Sequence, residues 1–236
     1  QGALLIEGER IGRIWYADGH GLTEHNGEAV SLEALAEKLK SENAELETVS
    51  LDGKVIMAGG IDAHVHFREP GMTAKADMST ESRAALLGGI TSYIDMPNTN
   101  PPATSIDRIR EKAALADGRS YANWSFHIGA DNENPDAIAS MLKVNAASRE
   151  FAAVKVFMGS STGNMLVDHG EALEKLFSIE NARILIHSED EATIKANLEK
   201  AVEKFGDDIP MKEHENIRSR QACIKSTIKA LELTMK

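Results

Sequence analysis

From residue 55 onward the sequence alternates short, almost wholly apolar runs with longer stretches of helical character, and this restricts the chain to a parallel-sheet architecture. The runs cover residues 55–67, 90–96, 122–130, 152–158 and 183–187. A strand covered by helices on both faces has no side turned to water, so it is apolar throughout instead of alternating. Parallel strands also need crossover connections of a dozen or more residues, which the intervals supply. Residues 80–87 carry a helical pattern closed by Gly88-Gly89, and Ser105 opens a stretch rich in Ile, Arg, Glu and Ala that ends at Ala116. The final stretch, residues 215–236, reads as one further helix. A doubly wound open sheet and a (β/α)8 barrel both satisfy this α/β pattern. No glycine-rich phosphate loop follows the first run, which removes the main support for a dinucleotide-binding open sheet. Five runs are too few to close a barrel.

The first 54 residues read differently and predict a separate small domain over 1–54, ahead of a main domain over 55–236. Residues 3–16 hold two short β runs joined at Glu7-Gly8-Glu9. A short amphipathic helix is expected over 31–46, where Ser31 can cap, Glu33 lies in the first turn, and Leu32, Leu35, Ala36 and Leu39 share a face. Asp52-Gly53-Lys54 forms the turn into the main domain.

Charge and cysteine content narrow the partners. Twenty-six Lys and Arg against 37 Asp and Glu give a net charge of −11, which repels a phosphate backbone or an anionic lipid surface, so no nucleic-acid partner is expected. No apolar run approaches the ~18 residues of a membrane span, and no basic segment announces an export signal. The single cysteine, Cys223, can form neither an internal disulfide nor a thiolate metal cage, which fits a reducing cytoplasm. Any metal must then be held by histidine, carboxylate or a less usual ligand.

Three places stand out as carriers of chemistry. In HVHFREPG, residues 64–71, alternation along a strand puts His64, His66 and Arg68 on one side, and two imidazoles so placed can grip one divalent ion. The competing reading is a chance pair on an exposed edge, which a buried-strand setting disfavours. Lys155 lies inside the apolar run AAVKVFM, where a lone ammonium costs several kcal/mol to desolvate. It must be paired, neutral or chemically altered, and reaction with carbon dioxide would give a carbamate able to bridge two cations. An ordinary ion pair explains Lys155 equally well when it is taken alone. His187 ends the fifth run, where barrel enzymes place catalytic groups, although a structural histidine there is just as ordinary. Taken together these residues favour zinc, with manganese or cobalt as substitutes. His127 reads as structural, and His20, His25 and His169 as solvated. Asn98 stands in MPNTNPP, residues 96–102, which otherwise reads as a rigid turn.

The motifs together resemble dihydroorotase, within the metal-dependent amidohydrolase superfamily. The matching stretches are GGIDAHVHFREPG (59–71), GGITSYIDMPNTNPP (88–102), KVFMGSSTGN (155–164), IHSED (186–190) and HENIRSRQA (214–222). The resemblance implies a (β/α)8 barrel, represented here by its N-terminal five or so β/α units, with part of a small β-sandwich at residues 1–54 and the 31–46 helix as an insertion. It implies two divalent metal ions, with His64 and His66 on one, His187 on the other and carboxylated Lys155 bridging. Gly159 to Gly163 stand where some members carry an aspartate-rich segment, which favours Lys155 as the bridge. Arg68 and Asn98 match the pair that holds the substrate carboxylate, a group suited to a guanidinium fork and an amide donor. The implied activity is reversible hydrolysis of dihydroorotate to N-carbamoyl-L-aspartate in pyrimidine synthesis. The partner is thus a small molecule, and a homodimer is among the assemblies this admits. An allantoinase or hydantoinase is the competing enzyme, and a catalytically silent scaffold the competing non-enzyme. The family's fourth metal histidine and its catalytic aspartate are expected beyond Lys236, so the isolated 236 residues are expected to be inactive and aggregation-prone.

Overall fold

A computed structural model describes residues 2–17, 22–23, 29–159 and 165–236. The chain divides into two units, Gln1–Met57 and Ala58–Lys236. No helix among the described residues is long and apolar enough to cross a membrane.

In the first unit, β1 (Gly2–Glu7) and β2 (Arg10–Ala17) form an antiparallel hairpin, followed by the short strands β3 (Leu22–Thr23) and β4 (Ala29–Val30) in the same sheet. The turn between β1 and β2 needs a residue of positive φ, which Gly8 supplies at 61°. Helix α1 (Leu32–Glu42) starts where Ser31 accepts the Ala34 N–H at 3.2 Å. Its Leu35 packs against Trp15 with Ala3, Leu5 and Leu39, a small core. The helix stops at Glu42 and does not reach residue 46. Past that point the Asn43 side chain accepts the Glu45 N–H at 3.0 Å, offering the backbone a turn in place of another helical bond.

The second unit is built from β/α repeats. Strands β5 (Gly60–Val65), β6 (Ile90–Asp95) and β7 (Asn123–Phe126) form one parallel sheet, and β8 (Ile128–Gly129), β9 (Val154–Phe157) and β10 (Ile184–His187) another. Between and after them run α2 (Met78–Leu87), α3 (Ile106–Ala116), α4 (Pro135–Ser148), α5 (Gly170–Phe177) and α6 (Glu191–Phe205). Only His127 separates β7 from β8. Its N–H donates to Asp95 O at 3.0 Å, and the next residue, Ile128, donates to Ala153 O at 3.0 Å, so one strand changes partner at that residue. Hydrogen bonds of 2.9 Å from Met96 N to Val65 O, from Ala130 N to Lys155 O and from Met158 N to His187 O close the C-terminal ends. The five runs therefore lie side by side in chain order, as the first five units of a (β/α)8 barrel do. Phe67, Tyr93, Phe126, Val154, Val156 and Leu173 fill the space between strands and helices.

Two further elements differ from the expectation. The first strand begins at Gly60, not at residue 55, and Val55, Ile56 and Met57 are exposed. With no neighbouring strand paired to them, their apolar character does not make a strand. The C-terminal stretch is not one helix: α7 (His214–Ile217) ends and α8 (Arg220–Thr234) begins afresh. Ser219 caps α8 through the Ala222 N–H, and Arg218 leaves helical geometry at ψ 66°.

Candidate active site

Because the strands are parallel, their C-terminal ends share one side, and the residues singled out from the sequence sit there or just beyond. His64 and His66 lie at the end of β5, Asn98 follows β6, Lys155 is in β9, and His187 is the last residue of β10. The His64 and His66 rings are 5.4 Å apart between centroids. His64 is exposed on β5, the edge strand of its sheet among the described residues, and not on the buried strand expected from the sequence; partial desolvation still lowers its pKa, and the nearby Lys155 charge lowers it further. Burial also lowers that of His66, helped by Arg68 and opposed by a hydrogen bond to the Asn98 side chain. Both rings are therefore biased toward the neutral form, which is the form that ligates a metal.

Lys155 is 1% exposed and makes no ion pair among the described residues. Its ammonium lies 5.0 Å from the centre of the Phe157 ring, and burial alone pushes its pKa down. The contrast with Lys112 is direct. That lysine is equally buried, but its Nζ donates to Asp95 Oδ2 at 2.7 Å and to Met96 O at 2.9 Å. The ion pair considered for Lys155 is thus formed by the other buried lysine.

His187 is engaged by protein groups. Its Nε2 is 2.8 Å from Glu189 Oε2, and Arg218 holds the same carboxylate, with Nε donating to Oε1 at 3.1 Å and Nη2 to Oε2. Burial raises the Glu189 pKa, but the hydrogen bonds and charge of Arg218 outweigh that and leave it lowered. His127, read from the sequence as structural, is 2% exposed, with its Nε2 3.0 Å from the carbonyl of Ala63, the residue before His64. His169 is exposed, in keeping with the solvated reading. His20, His25 and most of the Gly159 to Gly163 loop lie outside the described residues.

Arg68 adopts φ 67°, and its Nη1 is buried with no hydrogen-bond partner among the described residues. An unpaired buried guanidinium nitrogen is costly and suits an anionic ligand. Asn98, 2% exposed, is bonded to His66 and brings a polar amide to the same place. The loop that carries Arg68 is shaped by Gly71, at φ 81°, where a Cβ would come within 1.9 Å of Asn100 O.

Among the described residues no three His, Cys, Asp or Glu side chains already converge as a metal cage. The donor chemistry nevertheless fits a metal pair. His64 and His66 lean toward the neutral form, the buried Lys155 has no ion-pair partner among the described residues, and His64 senses the charges of both Lys155 and His187. A carbamate on Lys155 would turn an uncompensated cation into an anionic ligand.

The sequence reading missed the Asp95–Lys112 pair, the Glu189–Arg218 pair and the buried Glu69, whose Oε1 accepts from Arg119 at 2.9 Å and Oε2 from Met78 N at 2.9 Å. A signal existed for the first. Asp95 stands in an apolar run, and Lys112 falls three residues after Ile109 and four before Ala116, on the buried face of α3.

The fold is that of the first five units of a (β/α)8 barrel, and comparison with known proteins agrees with it. The chain belongs to the amidohydrolase family, whose profile matches residues 55–230. It is 34% identical over 188 residues to a dihydroorotase of Methanosarcina acetivorans, covering 78% of this chain and 38% of that protein. With a dihydroorotase of Halobacterium salinarum the identity is also 34%, over 65% of this chain and 37% of that protein. The chain thus spans less than two-fifths of these curated relatives. Among solved structures, a D-hydantoinase from Bacillus sp. AR9 superposes over all of this chain and 46% of its own, with a TM-score of 0.73 and 26% identity. An L-hydantoinase (dihydropyrimidinase) from Arthrobacter aurescens shares the fold with a TM-score of 0.72 and 22% identity, over 94% of this chain and 46% of its own.

Proposed function

We propose that the protein to which this chain belongs is a dihydroorotase, reversibly hydrolysing the cyclic amide of dihydroorotate to N-carbamoyl-L-aspartate in the cytoplasm. The observation that carries this reading is the buried Nη1 of Arg68, unpartnered among the described residues, close to His66, which Asn98 also bonds. Dihydroorotate carries a ring carboxylate that would satisfy that nitrogen. In this reading His64, His66, His187 and carboxylated Lys155 would hold two zinc ions. When bound, the zinc ions supply Lewis acidity and an acidified water.

The chain's own residues would do the rest. Arg68 binds the carboxylate and so fixes which ring bond faces the histidines, converting binding energy into orientation. Asn98 holds His66 through its side chain and shares the carboxylate's surroundings. Glu189, itself fixed by Arg218, orients His187 through the 2.8 Å contact.

A hydantoinase is the second reading, favoured by the hydantoinase structures that superpose on the chain. Hydantoin has no carboxylate, so it would leave Arg68 unpaired. The deciding experiment compares turnover of dihydroorotate, hydantoin and allantoin by the full-length protein. Dihydroorotate is expected to be the best substrate, and faster hydrolysis of either alternative rejects the proposal. Elemental analysis tests the metal assignment: purified full-length protein should hold close to two zinc equivalents, falling by about one or more in His64→Ala and in His66→Ala. Unchanged metal content in both variants would end that assignment.

A further inference from the structure

We propose that Asp95 and Lys112 form a buried clamp that positions the ends of β5 and β6, and through them His66, Arg68 and Asn98. The functional roles of those three residues rest on the dihydroorotase reading; the clamp's geometry does not.

Four contacts make the clamp. Asp95 Oδ1 accepts the backbone N–H of Phe67 at 2.9 Å, and Asp95 Oδ2 accepts from Lys112 Nζ at 2.7 Å. Lys112 Nζ also donates to Met96 O at 2.9 Å and lies 5.1 Å from the centre of the Phe126 ring. Asp95 is 0% exposed and Lys112 1%. Phe67 separates His66 from Arg68, and Met96 precedes Asn98 by two positions. One carboxylate therefore grips the chain between the candidate metal histidine and the candidate anion receptor. One ammonium, reaching in from α3, grips the start of the segment that carries Asn98.

The strand ladder cannot do this work. The pairing of β5 with β6 ends at Val65 opposite Asp95, with Met96 N donating to Val65 O at 2.9 Å. Beyond it the chain departs from strand geometry, and Arg68 has φ 67°. The Phe67 N–H lies past the last ladder bond and is held by a side chain instead.

Stability alone does not call for charges here. A buried ion pair replaced by apolar groups of similar volume often leaves stability unchanged or higher, because desolvating both charges offsets their attraction. Apolar contacts, however, are non-directional, whereas hydrogen bonds fix angles and distances. Burial lowers the Lys112 pKa, opposed by the charge and hydrogen bond of Asp95, whose carboxylate is the counter-charge 2.7 Å from Nζ. The pair spends buried charge where direction matters, at the strand ends that carry the site.

The test uses the full-length protein and its Asp95→Asn/Lys112→Met variant, which removes both charges together and keeps an acceptor for Phe67 N–H. Metal-free protein is titrated with cobalt(II) and followed by visible absorption, and KM and kcat for dihydroorotate and thermal melting are measured alongside. At temperatures where the variant is folded, cobalt affinity is expected to fall about 10–100-fold, with an altered spectrum and a KM raised about tenfold or more. A folded variant with wild-type cobalt affinity, spectrum and KM overturns the clamp. If the double variant does not fold, Asp95→Asn replaces it: the volume is kept, but an NH2 must face either Phe67 N–H or Lys112, and the same readouts decide. Should the wild type bind cobalt without turning over dihydroorotate, the substrate reading fails and the cobalt comparison alone decides the clamp.

Discussion

Lys155→Ala in the full-length protein is expected to lower turnover by about 10³-fold or more and to strip metal from the site. Metal ions contribute several kcal/mol of charge stabilisation in such reactions, and each ~1.4 kcal/mol is tenfold in rate. The expectation rests on a lysine 1% exposed, with no ion pair among the described residues, within electrostatic reach of His64. Carboxylation forms a bond from the neutral amine nitrogen to carbon dioxide and releases one proton, so it requires the ammonium to be deprotonated first. Burial, which lowers the Lys155 pKa, favours that step. A short-chain carboxylic acid added to the alanine variant should restore part of the activity by supplying the missing oxygens. Wild-type protein equilibrated with ¹³C-bicarbonate should show a carbamate resonance that Lys155→Ala lacks. A high-resolution map of metal-loaded protein with a bare amine at Lys155 would refute the assignment.

Arg68→Met should depress kcat/KM for dihydroorotate while leaving metal content at the wild-type level. Removing the partner of a desolvated carboxylate costs about 2–5 kcal/mol, or roughly 30- to 4,000-fold. Methionine keeps much of the side-chain volume, so packing of the loop shaped by Gly71 should survive. The pattern of the loss is informative. A rise in KM alone would mean that Arg68 binds substrate and transition state equally, and a fall in kcat that it orients the ring for attack. Wild-type kcat/KM in this variant would remove the carboxylate-receptor role and, with it, the main ground for preferring dihydroorotate over a hydantoin.

Much of the architecture was legible in the chain itself. The runs at 90–96, 122–130, 152–158 and 183–187 all contain strands, because a continuous apolar run between helical segments has few other fates, although β7 and β10 are only partly buried. Helix starts were legible for a similar local reason: Ser31 and Ser105 each accept an N–H three residues on, so the cap is encoded within one turn. The apolar stretch at 55–57 misled because strand formation depends on a neighbour to pair with, and its residues are exposed instead. The break at Arg218-Ser219 was missed because α-helical periodicity continues through a residue whose side chain can also cap a new helix.

At the strand ends the division is sharper. Spacing and desolvation were enough to single out candidates in the chain, since a histidine pair at alternating positions and a lysine inside an apolar run are both local patterns. What each of them touches was settled by packing across elements. Lys112 took the carboxylate partner, Asp95, while Lys155 has none among the described residues, although one lies on the apolar face of a helix and the other inside an apolar strand. Likewise Glu189 came to His187 with Arg218 behind it, a partner 29 residues further along the chain. Hydrogen bonds and ion pairs act over about 3 Å, and groups far apart in sequence come that close only where the fold places them. Periodicity reports which face of an element is buried, and the partner a buried charge finds is set by packing across elements.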